Sequence, residues 1–83
     1  MDIGVELSLY PLREAYLPVI EQFIARLHAD AQLRVVTNSM STQIFGSYER
    51  VMGLLGEQMR ATFAEHGKAV FIMKVLGPLA TSS

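Results

Sequence analysis

Residues 3–10 alternate in polarity, with Ile3, Val5, Leu7 and Leu9 on one side and Gly4, Glu6, Ser8 and Tyr10 on the other. A period of two predicts a strand with one apolar face and one face free to carry polar chemistry. Pro11 ends it, because proline gives no donor to a ladder and holds the preceding residue extended. Pro18 suits the first turn of a helix, where its missing N–H is not needed. Ile20, Phe23, Ile24 and Leu27 then recur at helical spacing, with Glu21, Gln22 and Arg26 on the wet side.

Residues 33–38 return to extended composition with Leu33, Val35 and Thr37 on one side, and Asn38-Ser39 reads as the start of a turn. A third strand is predicted over 41–46, antiparallel to the second, with Thr42 and Ile44 on one face and Gln43 and Phe45 on the other. A second helix begins near Tyr48 behind an imperfect capping box at Ser47, and presents Val51, Met52, Leu55, Met59 and Phe63. Gly53 and Gly56 inside it each cost about 1 kcal/mol relative to alanine, which suggests close approach to the sheet or to a neighbouring subunit. Gly67 stops the helix. The last strand, 69–76, is apolar on both alternations except for Lys74.

The element order β-α-β-β-α-β predicts an α+β fold, the ferredoxin-like sandwich, as a single domain over 1–83. Right-handed crossovers give an antiparallel sheet of order 4-1-3-2, with both helices on the face that bears Ile3, Val5, Leu7 and Leu9. Order is expected over about 3–77, with Gly77-Pro78 closing the domain and 81–83 frayed. An open face holding Phe45, Phe71 and Met73 would be an apolar patch of the kind monomers rarely expose. A homodimer or homotetramer built through sheet faces or edges is the expectation.

Composition sharpens this picture. The chain has 83 residues, 51% of them hydrophobic and 18% charged. At that size a lone core supplies only about 3–5 kcal/mol, which again favours self-association. A net charge of -1 with scattered basic residues argues against nucleic acid, and Glu6 in the first strand would repel phosphate where an RNA-binding version of this topology displays basic and aromatic groups. There is no cysteine, and the two histidines, His28 and His66, are far apart and sit on helices, so no metal site is expected. Nothing resembles a signal peptide or a membrane span, and a small domain without disulfides suits the cytoplasm.

Glu6 is the sharpest chemical signal, since a carboxylate near the middle of a central strand asks for a cation or an N–H donor. Two readings stand: it pairs with Lys74 of the neighbouring strand, or it receives a ligand. Ser8 and Tyr10 offer hydroxyls on the same side. Asn38, Ser39, Ser41, Thr42 and Gln43 form a short-sided polar run that is either a plain hairpin or the polar wall of a pocket for a small heterocycle. Phe45 either stacks on such a ring or packs in an interface. No nucleophile, base and orienting residue come together, and no phosphate loop is present, so no catalytic residue is assigned and binding without chemistry is the simpler account.

The segments Glu6-Leu-Ser-Leu-Tyr-Pro-Leu12 and Asn38-Ser-Met-Ser-Thr-Gln-Ile-Phe-Gly46 resemble the YkoF-related family of thiamine- or hydroxymethylpyrimidine-binding proteins, also described as MTH1187-like. The likeness runs from Ile3 to Leu76. It implies a ferredoxin-like fold, assembly into dimers and tetramers, and binding of thiamine or its pyrimidine part as a carrier or salvage accessory, with no further cofactor. Glu6, Ser8 and Tyr10 match the family's strand motif, and Ser41, Thr42 and Phe45 match its second segment. In this reading Glu6 accepts from the aminopyrimidine, Asn38, Ser41 or Thr42 satisfies other ring positions, and Phe45 or Tyr10 stacks on the ring.

Two other classes compete. One is a ferredoxin-like sensing module, which would favour glycine in the first strand-to-helix connection, where this chain has Pro11 and Pro18. The other is a structural or protein-interaction domain in which Glu6 pairs with Lys74 and no ligand binds.

Overall fold

The computed structural model describes residues 1–80, and the expected fraying of 81–83 lies outside them. The alternating N-terminal segment forms β1 (Asp2–Pro11), and the elements that follow are α1 (Leu17–His28), β2 (Arg34–Thr37), β3 (Thr42–Ser47), α2 (Tyr48–His66) and β4 (Ala69–Leu76). The sheet runs β2-β3-β1-β4 with antiparallel neighbours throughout, which is the predicted 4-1-3-2 order counted from the other edge. This is the ferredoxin-like βαββαβ arrangement.

Local chemistry sets the helix ends. Pro18 is the second residue of α1, where a donor is dispensable. The Ser47 hydroxyl caps α2 by accepting from Arg50 N–H over 3.3 Å. Gly67 takes φ of +81°, a left-handed conformation that glycine adopts without Cβ strain, and its N–H donates to Phe63 C=O over 3.0 Å.

Both helices cover one side of the sheet. Ile3, Val5, Leu7 and Leu9 of β1 and Ile44 of β3 are buried there against Val19, Phe23 and Leu27 of α1 and Val51 and Leu55 of α2. The helices are also clasped at the surface, where Arg26 holds both carboxylate oxygens of Glu65 at 2.8 and 2.9 Å. Beside this pair His66 meets Gln22 Oε1 at 2.7 Å and Arg13 at 3.4 Å. Arg13 can only donate, so the imidazole proton lies on Nε2, toward Gln22.

Two expectations are corrected. Phe71 and Met73 are not on the open face: the β1–β4 register sets Leu9 opposite Phe71 and Leu7 opposite Met73, which puts both on the helix side. The Phe71 ring lies 5.2 Å from that of Phe23 and 5.6 Å from that of Phe63. Because β4 is apolar on both alternations, its own pattern does not choose a face; the pairing of Glu6 with Lys74 does. The open face therefore carries Val70, Ile72 and Leu76 beside Tyr10, all exposed. Gly53 and Gly56, in turn, do not approach the sheet, since a Cβ built on either meets nothing within 4 Å. Beyond Gly77 the chain stays on the fold, with Leu79 N–H donating to Asp2 C=O over 2.8 Å.

Candidate functional site

The two central strands are unequal in reach. β3 begins at Thr42, opposite Leu7, whereas β1 continues to Pro11 with β4 alone beside it. The β2–β3 hairpin turns back through residues 38–41, closing with Asn38 N–H on Ser41 C=O over 3.1 Å. A hollow of about 210 Å³ lies where β1 outruns β3. Its walls are Leu7 to Tyr10 of β1, Ile20, Phe23 and Ile24 of α1, and residues 37–42.

Polar bonds fix the hairpin beside this hollow. Asn38 Oδ1 accepts from Met40 N–H over 2.8 Å and from Ser41 N–H over 3.1 Å, an Asx-type turn. The Ser41 hydroxyl donates to Glu6 Oε2 over 3.1 Å. On the helix side Thr37 Oγ1 lies 3.1 Å from His28 Nε2, so α1 holds the hairpin's other arm. Glu6 Oε1 is 3.7 Å from Lys74 Nζ, but that lysine side chain is 82% exposed, which makes the pair a surface contact of little weight.

The candidates from the sequence thus divide. Ser8, Tyr10, Asn38, Ser41 and Thr42 all line the hollow, with Thr42 on its buried, core side. Glu6 stands next to it, on the open face, and is occupied by Ser41 and Lys74. The side-chain oxygen of Asn38 is committed to its own turn, leaving the amide nitrogen for other use. Phe45 is elsewhere: it pairs with Gly4, at the far end of β1, and lines a second hollow of about 380 Å³ with Asp2, Gln32, Arg34 and Leu79. The Cδ1–Cε1 edge of its ring abuts Gly4 and one ring face is covered by the Arg34 guanidinium, 4.1 Å from the ring centroid, so Phe45 packs at this end of the sheet and not in the first hollow.

The second hollow is larger, yet the first is the one lined by Ser8, Tyr10, Asn38, Ser41 and Thr42. Sequence reasoning missed its apolar wall, Ile20 and Ile24, although the helical spacing at 20, 23, 24 and 27 marks that face as the one turned inward. Among the described residues no group of three or more His, Asp and Glu side chains is placed to hold a metal ion, and no helix is long and apolar enough to cross a membrane.

No family model and no curated protein matches the chain. Solved structures do. A protein of Streptococcus pneumoniae superposes with a TM-score of 0.86 at 22% identity, over 96% of this chain and 90% of that one. A Thermotoga maritima protein, named for thiamine biosynthesis or salvage, gives 0.81 at 18% identity, over 90% and 82%. A Methanocaldococcus jannascii protein gives 0.80 at 20%, over 96% and 84%. At these identities the likeness establishes the fold, a small ferredoxin-like domain, shared with a protein whose name places it in thiamine metabolism.

Proposed function

We propose that this chain binds thiamine, or the hydroxymethylpyrimidine part of it, without catalysis, in the hollow between the end of β1, the β2–β3 hairpin and α1. The observation that carries the reading is a hollow walled by the polar hairpin residues 38–42 and by Ile20, Phe23 and Ile24 of α1, with Ser8 and Tyr10 at its open-face rim. A flat polar ring needs that combination, apolar faces with a few placed hydrogen-bonding groups at its edge. The volume of about 210 Å³ is below the roughly 300–1,000 Å³ of pockets for drug-sized ligands, so one ring sits inside and the remainder of the molecule projects outward. The fold shared with the Thermotoga protein supports the choice of ligand.

Glu6 acts in this reading through Ser41, holding the hairpin against β1, instead of meeting the ligand directly. Titrating thiamine and hydroxymethylpyrimidine into the protein by calorimetry tests the proposal. Saturable binding of either, weakened by Ser41→Ala, supports it; no heat and no chemical-shift change with either compound rejects it.

A second reading concerns assembly. The exposed Val70 and Ile72 of β4, beside Tyr10, form an apolar patch at a sheet edge, with Leu76 beyond Lys74 on the same face, a surface that soluble proteins ordinarily cover. The chain is proposed to work as a homodimer or homotetramer that buries this patch.

A further inference from the structure

One residue of β1 has a backbone donor and acceptor with no strand beside them. Two bonds show which way the β1 backbone points. Tyr48 N–H donates to Met1 C=O over 2.9 Å, one step beyond the β1–β3 register, and Leu12 N–H donates to Lys68 C=O over 3.1 Å, one step beyond the β1–β4 register. Residues along an antiparallel strand alternate between the two neighbours. The odd-numbered residues of β1 therefore bond toward β3 and the even-numbered ones toward β4.

Ile3, Val5 and Leu7 all lie opposite β3 residues. Leu9 is next, and the position that would face it is Met40, two residues before Thr42. That position has turned away with the hairpin, and Met40 is 85% exposed. Among the described residues no strand, turn or side-chain bond reaches the N–H or C=O of Leu9 on that side, although the residue itself is buried. Folded chains seldom leave such groups without a partner. Both point into the hollow that Leu9 lines.

We infer that the Leu9 N–H and C=O are the recognition edge of the hollow, and that they take a flat heterocycle carrying an amino N–H next to a ring-nitrogen acceptor. Such an edge exchanges two parallel hydrogen bonds with one strand residue, as an opposing strand residue would. A peptide strand does not suit the gap. It exposes one residue's worth of ladder, because the next odd position is Pro11, which has no N–H, while strand addition uses several alternate residues in a row. The apolar wall of Ile20, Phe23 and Ile24 receives one face of the ring. This inference rests on the ligand-binding reading above but not on the identity of the ligand, since any aminoazine has the required edge.

Amide hydrogen exchange of the full chain, followed by NMR, tests it. In the free protein the Leu9 amide is expected to exchange at least about tenfold faster than those of Val5 and Leu7, which have strand partners. Saturating thiamine, hydroxymethylpyrimidine or adenine is expected to slow Leu9 by at least about tenfold, while N6,N6,9-trimethyladenine, which has no N–H donor, leaves it fast. Replacing the Leu9 amide by an ester through chemical synthesis removes the N–H without touching the side chain; folding is retained and affinity falls about tenfold. Protection by adenine but not by the two thiamine compounds keeps the Leu9 edge and rejects thiamine as the ligand. Thiamine binding that leaves Leu9 exchange and the ester variant's affinity unchanged overturns the edge and leaves the thiamine reading standing. A Leu9 amide as slow as Leu7 in the free protein, or one that no probe protects, overturns the inference outright.

Discussion

The hydroxyl of Ser41 donates to the carboxylate of Glu6 over 3.1 Å, joining the tip of the hairpin to the middle of β1. Of the polar contacts around the hollow it is the one between side chains far apart in sequence that touches the hairpin from β1. Ser41→Ala is expected to cost no more than about 1 kcal/mol of folding stability, since the bond is half open to water. Thiamine affinity is expected to fall about 3–10-fold, one hydrogen bond's worth of hairpin positioning. Glu6→Gln, whose amide oxygen still accepts, should be milder, and Lys74→Ala should change stability by about 0–1 kcal/mol. Calorimetry and urea unfolding of the three variants check this ranking.

Gly4 and Phe45 form a second testable pair. A Cβ on Gly4 stands 3.0 Å from Phe45 Cε1, so Gly4→Ala makes the ring give by a few tenths of an ångström against its contact with Arg34. The expected loss is about 1–3 kcal/mol, as for overpacking elsewhere. Phe45→Leu introduced with Gly4→Ala should recover part of it, a coupling of about 1 kcal/mol in a double-mutant cycle measured by urea unfolding.

The core has little in reserve. Leu27 is fully buried between α1 and the sheet, and Leu27→Ala is expected to cost about 2–5 kcal/mol. Against the roughly 3–5 kcal/mol that a lone core of this size supplies, that loss unfolds a large part of the isolated chain. Far-UV circular dichroism at 25 °C reads the result, and a protein concentration series shows how much association restores.

Ile72 is about half exposed on the open face of β4. Ile72→Lys is expected to convert a dimer or tetramer to monomer without loss of secondary structure, as seen by light scattering and native mass spectrometry. A wild-type chain that is monomeric at micromolar concentration rejects the proposed assembly.

Much of this was legible from the order of residues. Alternation over 3–10 placed β1 and separated its buried face from the face with Glu6, and helical spacing found the inner side of α1. What alternation could not supply was register. β4 is apolar on both alternations, so whether Phe71 or Ile72 meets the helices depends on which residue lies opposite Glu6, a property of two strands far apart in sequence. Likewise Phe45 shares a face with Glu6 and Gln43 but falls two pairs away from Glu6, beside Gly4, and this removes it from the hollow. The free backbone of Leu9 was invisible for the same reason: it exists only because the hairpin turns at 38–41 while β1 runs on.

Because β1 lies between β3 and β4, the first strand of the domain gains its second neighbour only when the last strand has been made. While a ribosome is still extending the chain, the N-terminal strand waits for residues 69–76, and no earlier portion can complete the sheet. Such long-range closure slows folding and leaves nascent apolar segments open to wrong contacts. A premature stop before Ala69 therefore yields no smaller working version of the domain, only an incomplete chain suited to degradation.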